Sequence, residues 1–340
     1  MVNILYRSES EILNGIDINT INFENLIKLA SSHLMLPALY FNINKKNCSY
    51  LFPHDFIAYI RNIFAINKSR NEILLSEAKE LSELLFENNI KHIFLKGTAL
   101  LLSNVFEDIG ERMIGDIDFI IQHKDEEKVE KVLKYNNNCT PQKLSLLRFF
   151  KPTHLQRKVP ENKTIAIEAH LELLEPRHRW IFNSKVLRNN FNEELKTIKT
   201  PSTSFLFDHC IYALQVRDKG FFIPYHGHRS IYDIYKLDCK NSLTINNIKK
   251  DIFKKHFFAT IAKFKIFDVQ ITSSFWGLYY DTFLRFLTIS FKIITTIDSK
   301  VTIIIQLFFN NELRKRALNK IIYHYSNKTF LNYLYRWLII

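Results

Sequence analysis

The sequence lacks the features that mark secreted, membrane-spanning and zinc-binding proteins. None of its four cysteines stands at metal-type spacing from another, so free thiols in a reducing cytoplasm are expected. No N-terminal signal segment stands out, and apolar stretches such as 301–309 are too short to span a bilayer. We therefore expect a cytoplasmic protein without a transmembrane segment.

Disorder is not expected either. Hydrophobic residues make up 47% of the chain and charged residues 24%, as in globular proteins. A chain of 340 residues is long enough for two or three structural units with a sizeable core.

Glycine is rare, which makes its distribution informative. Only 7 residues are glycine, and three of them, Gly97, Gly110 and Gly115, lie within twenty positions of one another. Residues 90–95 are typical of a strand and residues 98–102 of a helix, so Gly97 marks a junction whose backbone N–H groups suit phosphate oxygens. The missing side chain would let a phosphate approach closely. Gly97 does not belong to a P-loop, and taken alone it is better explained as a structural turn.

Two acidic residues share one face of a predicted strand. Residues 116–121 read Asp-Ile-Asp-Phe-Ile-Ile. Because side chains at i and i+2 point to the same face, Asp116 and Asp118 project together, about 6–7 Å apart at Cα. Like charges that close repel unless a cation lies between them, and Mg²⁺ is typically bound by one or two carboxylates plus substrate phosphates. The pair therefore predicts a magnesium site for phosphate chemistry.

A third acid stands on another predicted strand. Residues 164–173 alternate imperfectly, with Glu168, His170 and Glu172 on one face. A neighbouring strand would aim Glu168 at the aspartate pair. The same pattern also fits the solvated face of an amphipathic strand, and His170 either binds substrate or only forms a hydrogen bond within a strand pair.

Together these motifs resemble the polymerase-β-type nucleotidyltransferase superfamily. The closer resemblance is to a bacterial family of uncharacterised nucleotidyltransferases, in which Leu-Lys-Gly replaces the usual glycine turn, an arginine precedes Asp-Ile-Asp, and Glu-x-His carries the third acid. The matching residues are Leu95, Lys96, Gly97, Arg112, Asp116, Ile117, Asp118, Glu168 and His170. A weaker likeness extends to about Leu237 through Arg229 and Asp233.

The resemblance implies an α+β fold. A small mixed β-sheet nucleotidyltransferase core, residues 90–200, would lie between an N-terminal helical region, 1–89, and a C-terminal helical region, 201–340. The activity implied is transfer of NMP from an NTP, with ATP the expected donor, to a hydroxyl acceptor, releasing pyrophosphate.

The resemblance also implies roles for individual residues. Asp116, Asp118 and Glu168 would be catalytic and would hold two Mg²⁺ ions, with Glu168 accepting the hydroxyl proton. The residues expected to bind the nucleotide phosphates are Lys96, Gly97, Thr98 and Arg112.

Three alternatives stay open on the residues alone. Arg112 equally fits a plain surface ion pair with Glu111 or Asp108. The chain as a whole also fits a non-catalytic binding or regulatory protein on a degenerate core. A phosphotransferase of similar core, releasing an NDP in place of pyrophosphate, is the third.

Helical patterns surround the predicted sheet. Helices are predicted at 22–35, 55–89 with a break near 67–70, 125–135, 201–217, 230–238 and most of 245–340. The segment 136–163, which contains three prolines, is predicted to be loop-like at both ends.

The net charge of +13 is unevenly spread. Residues 241–340 carry 15 Lys and Arg against 5 Asp and Glu, interleaved with aromatic residues. Such a segment can bind RNA, for example tRNA, through phosphate contacts and stacking, or an anionic membrane surface. The charge equally fits a coding bias toward Ile, Asn, Lys and Phe without function. The acceptor stays open between RNA, a protein and a small molecule.

Overall fold

The structure, a computed structural model, describes most of the first 267 residues. The described residues are 1–15, 17–137, 139–141, 153–155, 157–160, 164–175, 178, 180–187, 198–218, 220–221, 227–241, 251–267 and 318. All of them except Leu318 belong to one compact unit, 1–142 with 153–277; the second unit is 143–152 with 278–340. The helical predictions for most of 268–340 therefore lie outside the described residues, and the predicted division at 89 and 200 stays a prediction.

Before the first strand, the described residues form five α-helices. They are α1 (Val2–Tyr6), α2 (Glu9–Gly15), α3 (Phe23–Ser32), α4 (Leu36–Lys45) and α5 (His54–Glu87). Side-chain caps such as Asn22, whose Oδ1 accepts from the N–H of Asn25 at 2.9 Å, begin α3. The predicted break near 67–70 is wrong, because α5 runs unbroken for 34 residues. Polar residues of α5 near positions 67–70 contact a loop, which is described below.

A mixed sheet carries the acidic motifs. Its strands are β1 (His92–Phe94), β2 (Asp116–Ile121), β3 (Cys139–Pro141), β4 (Lys158–Pro160) and β5 (Ala166–His170), in the order β1-β2-β5-β4-β3. β2 and β5 are parallel, and the other pairs are antiparallel. The predicted α+β fold with a small mixed sheet and flanking helices is confirmed.

The prediction of loop at both ends of 136–163 is wrong. Strands β3 and β4 lie there and extend the sheet at its edge, pairing Cys139 with Pro160 and Pro141 with Lys158. Pro141 and Pro160 are the last residues of β3 and β4, and the pairing of β4 with β5 is at Lys158, so neither proline has to donate to that ladder.

Five more helices complete the described unit. They are α6 (Lys96–Leu102), α7 (Glu126–Asn137), α8 (Thr203–Tyr212), α9 (His228–Asn241) and α10 (Ile252–Ile261); α8 continues as a π-helical turn, Ala213–Arg217. The helices predicted at 125–135, 201–217 and 230–238 are confirmed. Within the described ranges, no helix is both long and apolar enough to cross a bilayer.

The two faces of the sheet pack differently. Ile117 and Phe119 of β2 are fully buried in the main core, together with residues of α5 such as Leu74 and Ala78. On the opposite face, Ile120 packs in a smaller apolar cluster that includes Tyr212 at the end of α8. The acidic residues of β2 alternate onto this second face.

Candidate active site

The strand register brings two of the predicted acids side by side. In the parallel pair β2 and β5, Asp118 is opposite Glu168 and Ile120 is opposite His170. Because alternate residues of a strand share a face, Glu168 and His170 project together beside Asp118. This is the arrangement that the alternation of β5 predicts.

Asp118, Glu168 and His170 form a compact buried group. One ligand atom from each lies within 4.8 Å of the others. His170 Nε2 is 2.8 Å from Asp118 Oδ1 and 3.3 Å from Glu168 Oε2. Two carboxylates and an imidazole are a donor set that divalent metal ions accept: carboxylates suit Mg²⁺ and Mn²⁺, and the imidazole extends the range to ions such as Fe²⁺ and Zn²⁺. The residues therefore fit a divalent metal, whose identity they leave open.

Lys96 lies inside this group. Its Nζ donates to Asp118 Oδ1 at 2.7 Å and lies 3.1 Å from His170 Nε2 and 3.6 Å from Glu168 Oε2. The residue stands at the junction between β1 and α6 with a left-handed backbone, φ +51°. The lysine predicted to bind phosphate is thus a counter-ion of the acidic group.

These contacts control the charge of the carboxylates. Burial acts to raise the pKa of Asp118, but Lys96 and His170 outweigh it and hold the pKa far below its ordinary value. Burial likewise opposes ionisation of Glu168, yet His170, Lys96 and His154 lower its pKa to about 2. Both acids are therefore ionised at neutral pH.

Asp116 has different surroundings. Its side chain is 29% exposed, and its Oδ2 lies 3.4 Å from Arg157 Nε. Burial and the neighbouring Asp118 raise its pKa, against the opposing effect of Lys96 and Arg157. The structure places Asp116 on the rim of the group, next to Asp118, Glu168 and His170.

Gly97 and Thr98 hold the β1–α6 junction against β2. A Cβ at Gly97 would lie 3.0 Å from Ile114 Cγ1, so packing against Ile114 favours glycine there independently of any ligand. Thr98 is buried, and its hydroxyl donates to the Asp116 carbonyl at 3.3 Å. Both residues border the acidic group; their contacts with phosphate stay predictions.

Arg112 forms a buried ion pair remote from the surface. Its Nε and Nη2 donate to the two oxygens of Asp233 on α9, at 2.6 and 2.8 Å. The alternative of a surface pair with Glu111 or Asp108 is wrong, since Glu111 instead accepts from Tyr232 at 2.6 Å. Two residues that the family resemblance singled out, Arg112 and Asp233, are thus each other's partners.

Sequence reasoning missed several neighbours of the group. His154 Nδ1 lies 3.1 Å from Glu168 Oε1, and His154 pairs with His170 in an isolated antiparallel bridge. His209 on α8 is buried, and burial, Arg217 and Lys96 lower its pKa to about 3, so it is neutral. Strand-like alternation over Thr153–Leu155 is too short to show these contacts in the sequence.

A comparison of the whole sequence with protein families agrees with this geometry. The pattern of a family described as uncharacterised nucleotidyltransferases matches residues 19–248, more than half of the chain. The chain belongs to this family. Every residue of the acidic group lies inside the matched range, as do Lys96, Arg112 and Asp233. Searches of curated proteins and of solved structures found no match.

Proposed function

We propose that the protein transfers NMP from an NTP to a hydroxyl acceptor and releases pyrophosphate, with a divalent metal. The observation that carries the proposal is the register of β2 and β5, which places Asp118 opposite Glu168 within a group of metal-ligand atoms no more than 4.8 Å apart. Membership of a nucleotidyltransferase family supports the same chemistry.

In this proposal the acidic residues would bind metal and the residues of the β1–α6 junction would bind the triphosphate. Asp118, Glu168 and His170 would hold a divalent ion, and Asp116 on the same strand face would join a second one, Mg²⁺ being the expected metal. When bound, such ions stabilise charge on the entering and leaving oxygens of an in-line displacement. Lys96 would neutralise charge on the triphosphate, beside backbone N–H groups of Gly97 and Thr98.

The bond changes are simple. The acceptor oxygen forms a new bond to the α-phosphorus of the NTP, and the bond between that phosphorus and the bridging oxygen to the β-phosphate breaks. The hydroxyl proton passes to a carboxylate, for which we propose Glu168. Because Lys96, His170 and His154 lower the pKa of Glu168 in the free protein, this role requires those contacts to change when substrate binds.

Labelled nucleotides test the proposal. We expect α-labelled NTP to mark an acceptor in a cell extract containing Mg²⁺ or Mn²⁺, with labelled pyrophosphate appearing from γ-labelled NTP. Asp118→Asn and Glu168→Gln should each lower transfer by about 100-fold or more, because each removes a metal-ligating charge.

A matched acid gives the control. Glu172 follows β5 but accepts from Ser184 Oγ at 3.0 Å and contacts His123, away from the metal-ligating group. Glu172→Gln should retain transfer. Movement of the γ-label to the acceptor would show a phosphotransferase, and NTP binding without turnover would show a binding protein; either result contradicts nucleotidyl transfer.

A further inference from the structure

The Lys96 ammonium takes up the centre of the acidic group. It lies 2.7, 3.1 and 3.6 Å from Asp118, His170 and Glu168, the three residues whose ligand atoms could hold a metal. A divalent ion needs its ligands at about 2.0–2.6 Å, and two cations held by the same three side chains repel each other strongly. Metal and ammonium therefore cannot both occupy these donors.

The backbone holds Lys96 in this position at some cost. Its φ of +51° lies in the left-handed region, which disfavours residues other than glycine. The turn is held on both sides of the strand–helix junction, because Leu95 N–H donates to the Asp118 carbonyl at 2.9 Å and Leu95 O accepts from Ala99 at 3.1 Å. The contacts of the ammonium offset the strain.

Asp116, on the rim of the acidic group, also has a cation of the protein beside it. Arg157 Nε lies 3.4 Å from Asp116 Oδ2, so the acids of the group already have protein cations beside them. An added divalent ion must displace Lys96 from buried carboxylates. The loss of this buried ion pair reduces the net free energy of metal binding. The Lys96 side chain is 26% exposed, so solvent and a ligand can reach it.

We infer that Lys96 is the resident cation of the free protein, and that the metal binds tightly only together with a triphosphate that draws Lys96 away. The inference rests on the proposed function, since the triphosphate is that of the NTP. Its charged oxygens would offer the ammonium a new partner at the moment the divalent ion replaces it. Metal and nucleotide binding are then positively coupled, and the coupling passes through Lys96.

Metal binding without turnover tests this directly. Mn²⁺ affinity would be measured by the electron paramagnetic resonance signal of the free ion, for the parent protein, Lys96→Gly and Lys96→Met. Glycine suits the left-handed φ at this position, so Lys96→Gly removes the cation without straining the turn. We expect both variants to bind Mn²⁺ at least tenfold more tightly than the parent in the absence of nucleotide.

Two further variants locate the effect. Lys45 lies on α4, and its ammonium pairs with Glu107 at 2.6 Å. The Mn²⁺ affinity of the Lys45→Met variant should therefore match that of the parent. Combining Lys96→Gly with Asp118→Asn should abolish the gain. Thermal unfolding gives a second measurement: Mn²⁺ should raise the Tm of Lys96→Gly more than that of the parent.

The same Mn²⁺ titration is repeated with an α,β-methylene NTP present, after correction for the Mn²⁺ that the nucleotide itself binds. The nucleotide should tighten Mn²⁺ binding to the parent at least tenfold more than to Lys96→Gly. Equal Mn²⁺ affinity of parent and Lys96→Gly, with transfer intact in the labelling assay, would overturn the inference and leave the proposed function standing. Tighter binding by Lys96→Gly without any transfer by the parent would support the resident cation and overturn the nucleotidyl transfer.

Discussion

Asp116 and Asp118 are two residues apart on one strand, yet their electrostatic surroundings are opposite. Asp118 is buried against Lys96 and His170, which hold its pKa far below its ordinary value. Asp116 is partly exposed, and burial together with the charge of Asp118 raises its pKa. A carboxylate whose pKa falls on folding stabilises the folded protein at neutral pH, and one whose pKa rises destabilises it.

Asparagine at each position should therefore change stability in opposite directions. Asp118→Asn removes the nearest carboxylate from Lys96 and His170 and leaves them with Glu168 at 3.6 and 3.3 Å, and we expect it to lower the free energy of unfolding by about 3 kcal/mol. Asp116→Asn relieves the repulsion, and we expect a gain of up to about 1 kcal/mol. Denaturant unfolding at pH 7 without metal measures both.

The labelling assay separates stability from function in the same variants. Both substitutions should lower transfer, since both remove a carboxylate from the proposed metal sites. Equal losses of stability in the two variants would contradict the different surroundings of the two acids.

Residue alternation predicts the pairing of Asp118 with Glu168, and the reason is local. Strand periodicity fixes which side chains share a face, and the sequence shows that much. The contacts of Lys96 and His154 with the same group depend on the turn before α6 and on a segment crossing the end of β5. Neither the turn nor this segment has a periodic sequence pattern. The positions of the Lys96 ammonium and of His154 could therefore not be predicted.

At the scale of elements, helix α5 anchors the loop that leads into β2. Asn71 Nδ2 donates to the carbonyls of Ile109 and Arg112 at 2.6 and 2.8 Å, and Asn67 Nδ2 donates to Gly110 O at 2.7 Å. A Cβ at Gly110 would lie 2.7 Å from Phe64 Cζ, so glycine allows the loop to approach the helix. Arg70 adds a hydrogen bond to Gly115 O at 3.2 Å.

This contact explains why the predicted break in α5 is wrong. A cluster of Asn, Lys, Ser and Arg within a helix favours a break when only propensity is weighed. In the fold Asn67 and Arg70 donate to loop carbonyls and Lys68 pairs with Asp108, so tertiary contacts override propensity. The clustering of rare glycines likewise has a packing cause at Gly97 and Gly110, which a single sequence cannot distinguish from phosphate binding.

Asn71→Ala tests the anchor. It would leave two carbonyls without their donor, and we expect a loss of about 2 kcal/mol in the free energy of unfolding. Transfer should fall too, because the loop sets the start of β2 and hence Asp116. Asn62→Ala on the exposed side of the same helix is the matched control, and it should change neither quantity measurably. Equal behaviour of the two variants would show that the loop does not depend on α5.

For the molecule as a whole, most of the net positive charge lies in the last hundred residues of the sequence, after the residues of the acidic group. Residues 241–340 carry 15 basic and 5 acidic side chains, and most of them lie outside the described residues. The site itself gives no preference for an acceptor, since its described contacts are those between its own side chains. RNA is an expected acceptor only because of the basic and aromatic sequence of this segment.

If the segment binds RNA, affinity should depend steeply on salt, because each neutralised phosphate releases counterions. Replacing Arg314, Lys315 and Arg316 by Gln should weaken binding of total tRNA and reduce the slope of log affinity against log salt by about 2–3. Filter binding from 50 to 300 mM salt measures both. Gln at Lys124, Lys128 and Lys131, three exposed lysines near or on α7, removes the same charge elsewhere and should leave the slope unchanged.

The control decides between a binding site and net charge. An equal change in slope for both triple variants would mean that tRNA senses only the overall charge of +13. A flat salt response in the parent, with transfer to another acceptor intact, would remove RNA as the acceptor and leave the basic segment as a product of coding bias. A loss confined to the 314–316 variant, accompanied by loss of label on RNA but not of NTP binding, would assign acceptor recognition to the C-terminal segment and the chemistry to β2 and β5.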